Sequence, residues 1–177
     1  MLTVVTGGSG SGKSELAEKI AMSGGTSRLY IATMDPFGAE AFERIKRHRE
    51  MRAEKAFRTI EKYTDLHETD VENDSSVLLE CMSNLVANEI FTNKCTGEKL
   101  KEKILLGVEK IRTKSASLVI VTNEIFSDGI SYDATTVGYI RSLGEINRML
   151  VDLADNVIEC VYGIPVVLKG GLPQCVC

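Results

Sequence analysis

Leu2-Thr3-Val4-Val5-Thr6-Gly7-Gly8-Ser9-Gly10-Ser11-Gly12-Lys13-Ser14 carries the strongest architectural signal in the chain. A short β-rich apolar run enters a glycine-rich loop, and residues 15–22 are then good helix formers, so the stretch reads strand, loop, helix. The loop satisfies G-x-x-x-x-G-K-[ST] in the one context where that pattern has a mechanism. Glycines let backbone N–H groups wrap phosphate oxygens, and the following helix N-terminus adds positive potential. Lys13 is the residue that reaches the β- and γ-phosphates, and the Ser14 hydroxyl is suited to Mg²⁺. Gly7, Gly8, Ser9, Gly10, Ser11, Gly12, Lys13 and Ser14 are therefore the expected nucleotide-binding residues, with Lys13 catalytic.

Beyond the loop, RLYIAT (28–33), SVLL (76–79), SLVIVT (117–122) and VIECVY (157–162) are near-continuous apolar runs of the kind that fill strands buried on both faces. Helical patterns separate them. Residues 39–55 are charged and Ala-rich; Leu100, Ile104, Val108 and Ile111 mark one helical face. Val137, Ile140, Leu143, Ile146, Leu150 and Leu153 mark another, with Asp133 as its start signal. Strand and helix runs that alternate imply a three-layer α/β domain, a mainly parallel sheet with helices on both faces. Gly163-Ile164-Pro165 followed by an apolar run predicts a C-terminal hairpin. No repeat or linker divides residues 1–177, so one nucleotide-binding domain is expected.

Composition sets further bounds. Of 177 residues, 44% are hydrophobic and 26% charged, which excludes a disordered or collagen-like chain. A net charge of −4 argues against a general nucleic-acid binder, so any anion site must be local. No apolar run is long enough to span a bilayer, and residues 1–6 run into the glycines with no charged leader, so a cytoplasmic protein is expected. The five cysteines, Cys81, Cys95, Cys160, Cys175 and Cys177, lack zinc-site spacing and read as free thiols.

Two further features bear on chemistry. A phosphate loop with Mg²⁺ wants a carboxylate at the end of a buried strand, and Glu80 after Val77-Leu78-Leu79 fits, with Glu124 a competitor; Ser14 and Glu80 are the expected metal ligands. Arg44-Ile45-Lys46-Arg47-His48-Arg49-Glu50-Met51-Arg52 gathers five cations around one histidine in an acidic chain, a local charge suited to a polyphosphate. Neighbouring cations would keep His48 neutral, which is the nucleophilic form. The residues alone leave a nucleophile and a solvated histidine both open. His67 has no such surroundings.

GGSGSGKS (7–14), LYIAT (29–33), RIKRHRE (44–50), FRTIE (57–61), VLLEC (77–81), LVIVTNE (118–124), INRMLVDLADNVIE (146–159) and GIPVVLKG (163–170), in this order, resemble the bifunctional adenosylcobinamide kinase/adenosylcobinamide-phosphate guanylyltransferase family of cobalamin biosynthesis. The P-loop is shared by many NTPases, whereas a P-loop followed by RIxxHR and then TNE is particular to this family. The resemblance implies a RecA-like P-loop fold and two reactions. A nucleoside triphosphate, ATP or GTP, phosphorylates adenosylcobinamide, and GMP from GTP is then transferred to that phosphate through a histidine–GMP intermediate. His48 matches the histidine that carries GMP, and Ala32, Thr33, Met34, Arg49, Glu50, Met51, Arg52, Glu61 and Glu80 match positions that contact the guanine nucleotide. It implies a homotrimer as well. After TNE the family continues with a small glycine-rich stretch, where this chain has Ile125-Phe126-Ser127-Asp128-Gly129. A P-loop kinase of another small molecule, without a covalent intermediate, is the alternative reading of the residues.

Overall fold

The computed structural model describes residues 1–36, 43, 46, 50, 55–127 and 129–173. Seven strands form one sheet: β1 (Leu2–Thr6), β2 (Arg28–Ala32), β3 (Arg58–Glu61), β4 (Ser76–Glu80), β5 (Ser117–Val121), β6 (Asn156–Val161) and β7 (Ile164–Lys169), in the order β3-β2-β4-β5-β1-β6-β7. Every neighbouring pair is parallel except β6 and β7, the hairpin at the end of the chain. The hairpin turns on Tyr162 and Gly163, both left-handed, and Ile164-Pro165 already belong to β7.

The helices with described bounds are α1 (Lys13–Met22), α2 (Met82–Phe91), α3 (Gly97–Lys114) and α4 (Ala134–Leu153), with a 3₁₀ turn at Leu66–Glu68. Alternate residues of each strand feed opposite faces. Val4, Ile31, Leu79, Ile120 and Val157 pack under α2, α3 and α4; Val5, Tyr30, Leu78, Val119 and Ile158 pack against α1. Both faces are thus covered, which is why the central strands read as unbroken apolar runs.

The helical periodicities are borne out locally. Leu100, Ile104, Val108 and Ile111 are buried on α3. Asp133 caps α4, accepting from the N–H groups of Thr135 (2.8 Å) and Thr136 (3.1 Å). Leu143, Ile146 and Leu150 are buried, while Val137, near the N-terminus of α4, is exposed. Within the expected helix at 39–55, Glu43, Lys46 and Glu50 are helical and exposed, and residues 39–42, 44, 45, 47–49 and 51–54 lie outside the described ones.

Candidate functional site

Strands β1 to β6 run parallel, so their C-terminal ends share one edge, where open α/β sheets bind ligands. The glycine loop lies there, after β1, flanked by β5 and β6. Its geometry depends on having no side chains at two positions. Gly7 has φ +151°, and a Cβ on it would sit 2.6 Å from the Cys160 carbonyl oxygen; Gly12 has φ +91°, and its Cβ would sit 3.2 Å from Cα of Gly163. Within the loop, the Ser11 N–H donates to the Gly8 carbonyl (3.3 Å), and the Lys13 ammonium donates to the same carbonyl (3.0 Å). From outside, Gly163 N–H (2.8 Å) and the Cys160 thiol (3.1 Å) both donate to the Ser11 carbonyl, and Glu124 N–H donates to that of Gly7 (3.1 Å). The loop is fixed by its neighbours on both flanks.

Ser14, in the first turn of α1, points its hydroxyl at Glu80 and donates to Oε1. Tyr30 on β2 donates to the other carboxylate oxygen (2.9 Å). Glu80 is buried, so these contacts orient it. Glu124 is occupied otherwise, accepting from Phe126 N–H (2.9 Å) and the Ser127 hydroxyl (2.9 Å) of its own loop. A serine hydroxyl beside a carboxylate is a hard oxygen donor set, which fits Mg²⁺ and not a soft metal.

Of the remaining expected residues, Ala32, Thr33, Met34 and Glu61 lie along the same edge, at the ends of β2 and β3. Ala32 ends β2 and accepts from Lys62 N–H (2.9 Å). Thr33 is buried, donating to the Cys81 carbonyl (2.8 Å) and accepting from Cys81 N–H (2.7 Å), which ties the ends of β2 and β4 together. Met34 is half-buried beside it. Glu61 ends the edge strand β3 and accepts from the Tyr63 hydroxyl (2.9 Å). β3 stands four places from β1, roughly 19 Å at ordinary strand spacing, so Glu61 and the glycine loop are separate stations. His48, Arg49, Met51 and Arg52 lie outside the described residues; Glu50 is helical and exposed.

Some supporting residues carried no signal in the sequence. Tyr30 looks like any strand aromatic until the fold sets it beside Glu80. Asn123 donates to the Ser83 hydroxyl (2.6 Å), which pairs with the Cys81 thiol (3.0 Å), and the Tyr139 hydroxyl donates to the Ser83 carbonyl (3.3 Å). This network floors the strand ends. Burial pushes the Cys81 thiol up, and burial with the nearby thiol pushes Tyr139 up to about 12, so neither ionises near neutral pH. Glu18, fully buried on α1, pairs with Lys55, and Arg28 bridges the carbonyls of Lys55 (3.2 Å) and Met22 (3.2 Å). These contacts pin the chain just after the basic segment to the P-loop helix. Among the described residues no helix is long and apolar enough to cross a membrane.

Comparison with known proteins agrees with this architecture. A solved structure of a prototypical ATPase from the type III secretion system of pathogenic bacteria superposes with a TM-score of 0.50 at 12% identity, covering 94% of this chain and 56% of that one. The chain is 32% identical over 185 residues to the bifunctional adenosylcobalamin biosynthesis protein CobU of Escherichia coli, spanning 96% of this chain and 100% of that protein. It is 31% identical to CobU of Salmonella typhimurium, spanning 96% and 100%, and 27% identical to CobP of Pseudomonas aeruginosa, spanning 96% and 98%. The family model described as cobinamide kinase / cobinamide phosphate guanyltransferase matches residues 3–168. The chain therefore belongs to that family, and it is an enzyme with kinase and guanylyltransferase activities.

Proposed function

We propose that this protein phosphorylates the aminopropanol hydroxyl of adenosylcobinamide with a nucleoside triphosphate and then transfers GMP from GTP to that phosphate, giving adenosylcobinamide-GDP. The observation that carries the first step is the convergence of Lys13, Ser14 and Glu80 at the head of α1. Backbone N–H groups of residues 7–14 bind the β- and γ-phosphates, and Lys13 neutralises charge on their oxygens as the phosphoryl group moves. Ser14 and Glu80 would hold Mg²⁺, which when bound screens the triphosphate charge. Positioning supplies most of the catalysis, so this step needs no covalent carrier.

The second step is assigned to His48. Its neutral imidazole nitrogen attacks the α-phosphorus of GTP, forming a P–N bond while the P–O bond to pyrophosphate breaks and pyrophosphate leaves. A phosphate oxygen of the acceptor then attacks the same phosphorus, the P–N bond breaks, and the imidazole is restored. Ala32, Thr33, Met34, Arg49, Glu50, Met51, Arg52, Glu61 and Glu80 are proposed to bind the guanine nucleotide. The assembly proposed is a homotrimer, checked by light scattering.

Incubation with GTP labelled at the α-phosphate tests the reading. Acid-labile label on the protein, discharged by adenosylcobinamide phosphate, is expected. A protein that forms product yet never carries label would overturn the covalent route.

A further inference from the structure

The turn between β6 and β7 belongs to the wall of the glycine loop. Gly163 N–H bonds the Ser11 carbonyl at 2.8 Å, and Gly12 has room for no side chain against Cα of Gly163. The turn's other residue is Tyr162, and two things about it are unusual. The residue is 93% exposed, and its backbone is left-handed at φ +50°. A two-residue turn with both residues left-handed favours Asn-Gly or Asp-Gly, because a side chain like tyrosine strains there. Strain retained beside a ligand loop calls for a use.

The sheet order says which part of a nucleotide would meet it. Glu80, at the end of β4, and Ser14 mark where the terminal phosphates sit, on the β5 flank of β1. β6 is the neighbour on the opposite flank. A triphosphate laid through the loop with its terminal phosphate toward Glu80 leaves its nucleoside on the β6 flank, where Tyr162 stands at the same sheet edge.

We propose that Tyr162 is the stacking platform for the base of the nucleoside triphosphate held by the glycine loop. This rests on the reading of that loop as the phosphoryl-donor site. An aromatic platform recognises the π-face that every base has, so the donor site accepts adenine and guanine alike.

Equilibrium binding of ATP and of inorganic tripolyphosphate, which has phosphates and no base, tests this on the full chain. ATP is used because GTP has a second proposed site. Tyr162→Ser and Tyr162→Gly are expected to weaken ATP about tenfold, Tyr162→Phe to retain it, and tripolyphosphate to bind all four proteins equally. The glycine variant relieves the backbone strain, so its loss of ATP affinity with an undiminished melting temperature separates stacking from misfolding. Unchanged ATP affinity in the serine and glycine variants would overturn the proposal. So would equal weakening of tripolyphosphate, which would make the turn a prop for the loop, or a changed oligomeric mass with unchanged ATP affinity, which would make Tyr162 a subunit contact. If the unsubstituted protein binds neither ATP nor tripolyphosphate, the donor-site reading itself fails and the platform falls with it.

Discussion

The hydroxyl of Ser14 donates to the carboxylate of Glu80, joining the head of α1 to the end of a strand two places away in the sheet. Because the two side chains are proposed to hold one ion, their substitutions should not add. Ser14→Ala and Glu80→Gln are each expected to slow phosphorylation of the acceptor by about a hundredfold, and the double variant by little more than either. Additive losses in a steady-state cycle would separate their roles. Chelation by EDTA should abolish turnover, and Mg²⁺ should restore it.

Lys13→Ala removes a point charge from the region where phosphoryl transfer concentrates negative charge. The expected loss is about 3 kcal/mol of transition-state stabilisation, or roughly a hundredfold in kinase rate, with the fold intact by circular dichroism. Near-normal turnover would remove Lys13 from the site.

His48→Ala should abolish GMP labelling and adenosylcobinamide-GDP formation, while adenosylcobinamide phosphate still forms within about tenfold of the normal rate. His67→Ala should lose neither. Loss of both activities in a folded His48→Ala protein would make His48 part of a shared nucleotide site.

Two helical glycines should respond oppositely to alanine. At Gly138 nothing lies within 4 Å of the new Cβ, so Gly138→Ala should stabilise by about 0.5–1 kcal/mol, the usual helical gain. At Gly107 the Cβ would lie 2.8 Å from Cβ of Leu66 and 2.9 Å from the His67 nitrogen, so the same change should destabilise by about 1–3 kcal/mol. Urea melts of the two variants give the comparison.

Asp65 supplies a pH signature. The Lys103 ammonium hydrogen-bonded to it holds its carboxyl down to about 2 from 3.8, against the effect of burial. Lys103 also bonds the buried Glu89 (2.7 Å), stapling the 3₁₀ turn to α2 and α3. A carboxyl with a lowered folded-state pKa stabilises above its unfolded value, here 3.8, and that stability is lost as the pH falls through about 2. Asp65 is partly exposed, so screening reduces the contribution to about 1 kcal/mol. Asp65→Asn should cost that much at pH 7, and the gap between variant and parent should close between pH 4 and pH 2. A constant gap would exclude the ion pair as its cause.

Legibility in the sequence followed burial. The runs that became β2, β4, β5 and β6 were readable because burial on both faces leaves no polar alternation, and each strand begins or ends within about a residue of its apolar run. β3 escaped: Arg58-Thr59-Ile60-Glu61 is an edge strand with mostly exposed side chains, which has no such signature. Gly7 to Ser14 was legible because glycines at fixed spacing have a backbone reason. Tyr30 and Asn123 were not, since their partners Glu80 and Ser83 are 50 and 40 residues away along the chain and meet them only through the sheet order. Tyr162 reads as an ordinary strand residue until its turn is found against Ser11.

The hydrogen bond from Gly163 to Ser11 also sets an order of events in the life of the chain. β1 is made well before both of its neighbours, β5 and β6, and the turn that backs the loop follows them. A growing polypeptide on the ribosome therefore carries the glycine motif without the walls that shape it until Gly163 has been added, and such long-range pairing is slow to form. A product that stops short of Gly163 would carry the motif without the backbone donor that holds its Ser11 carbonyl.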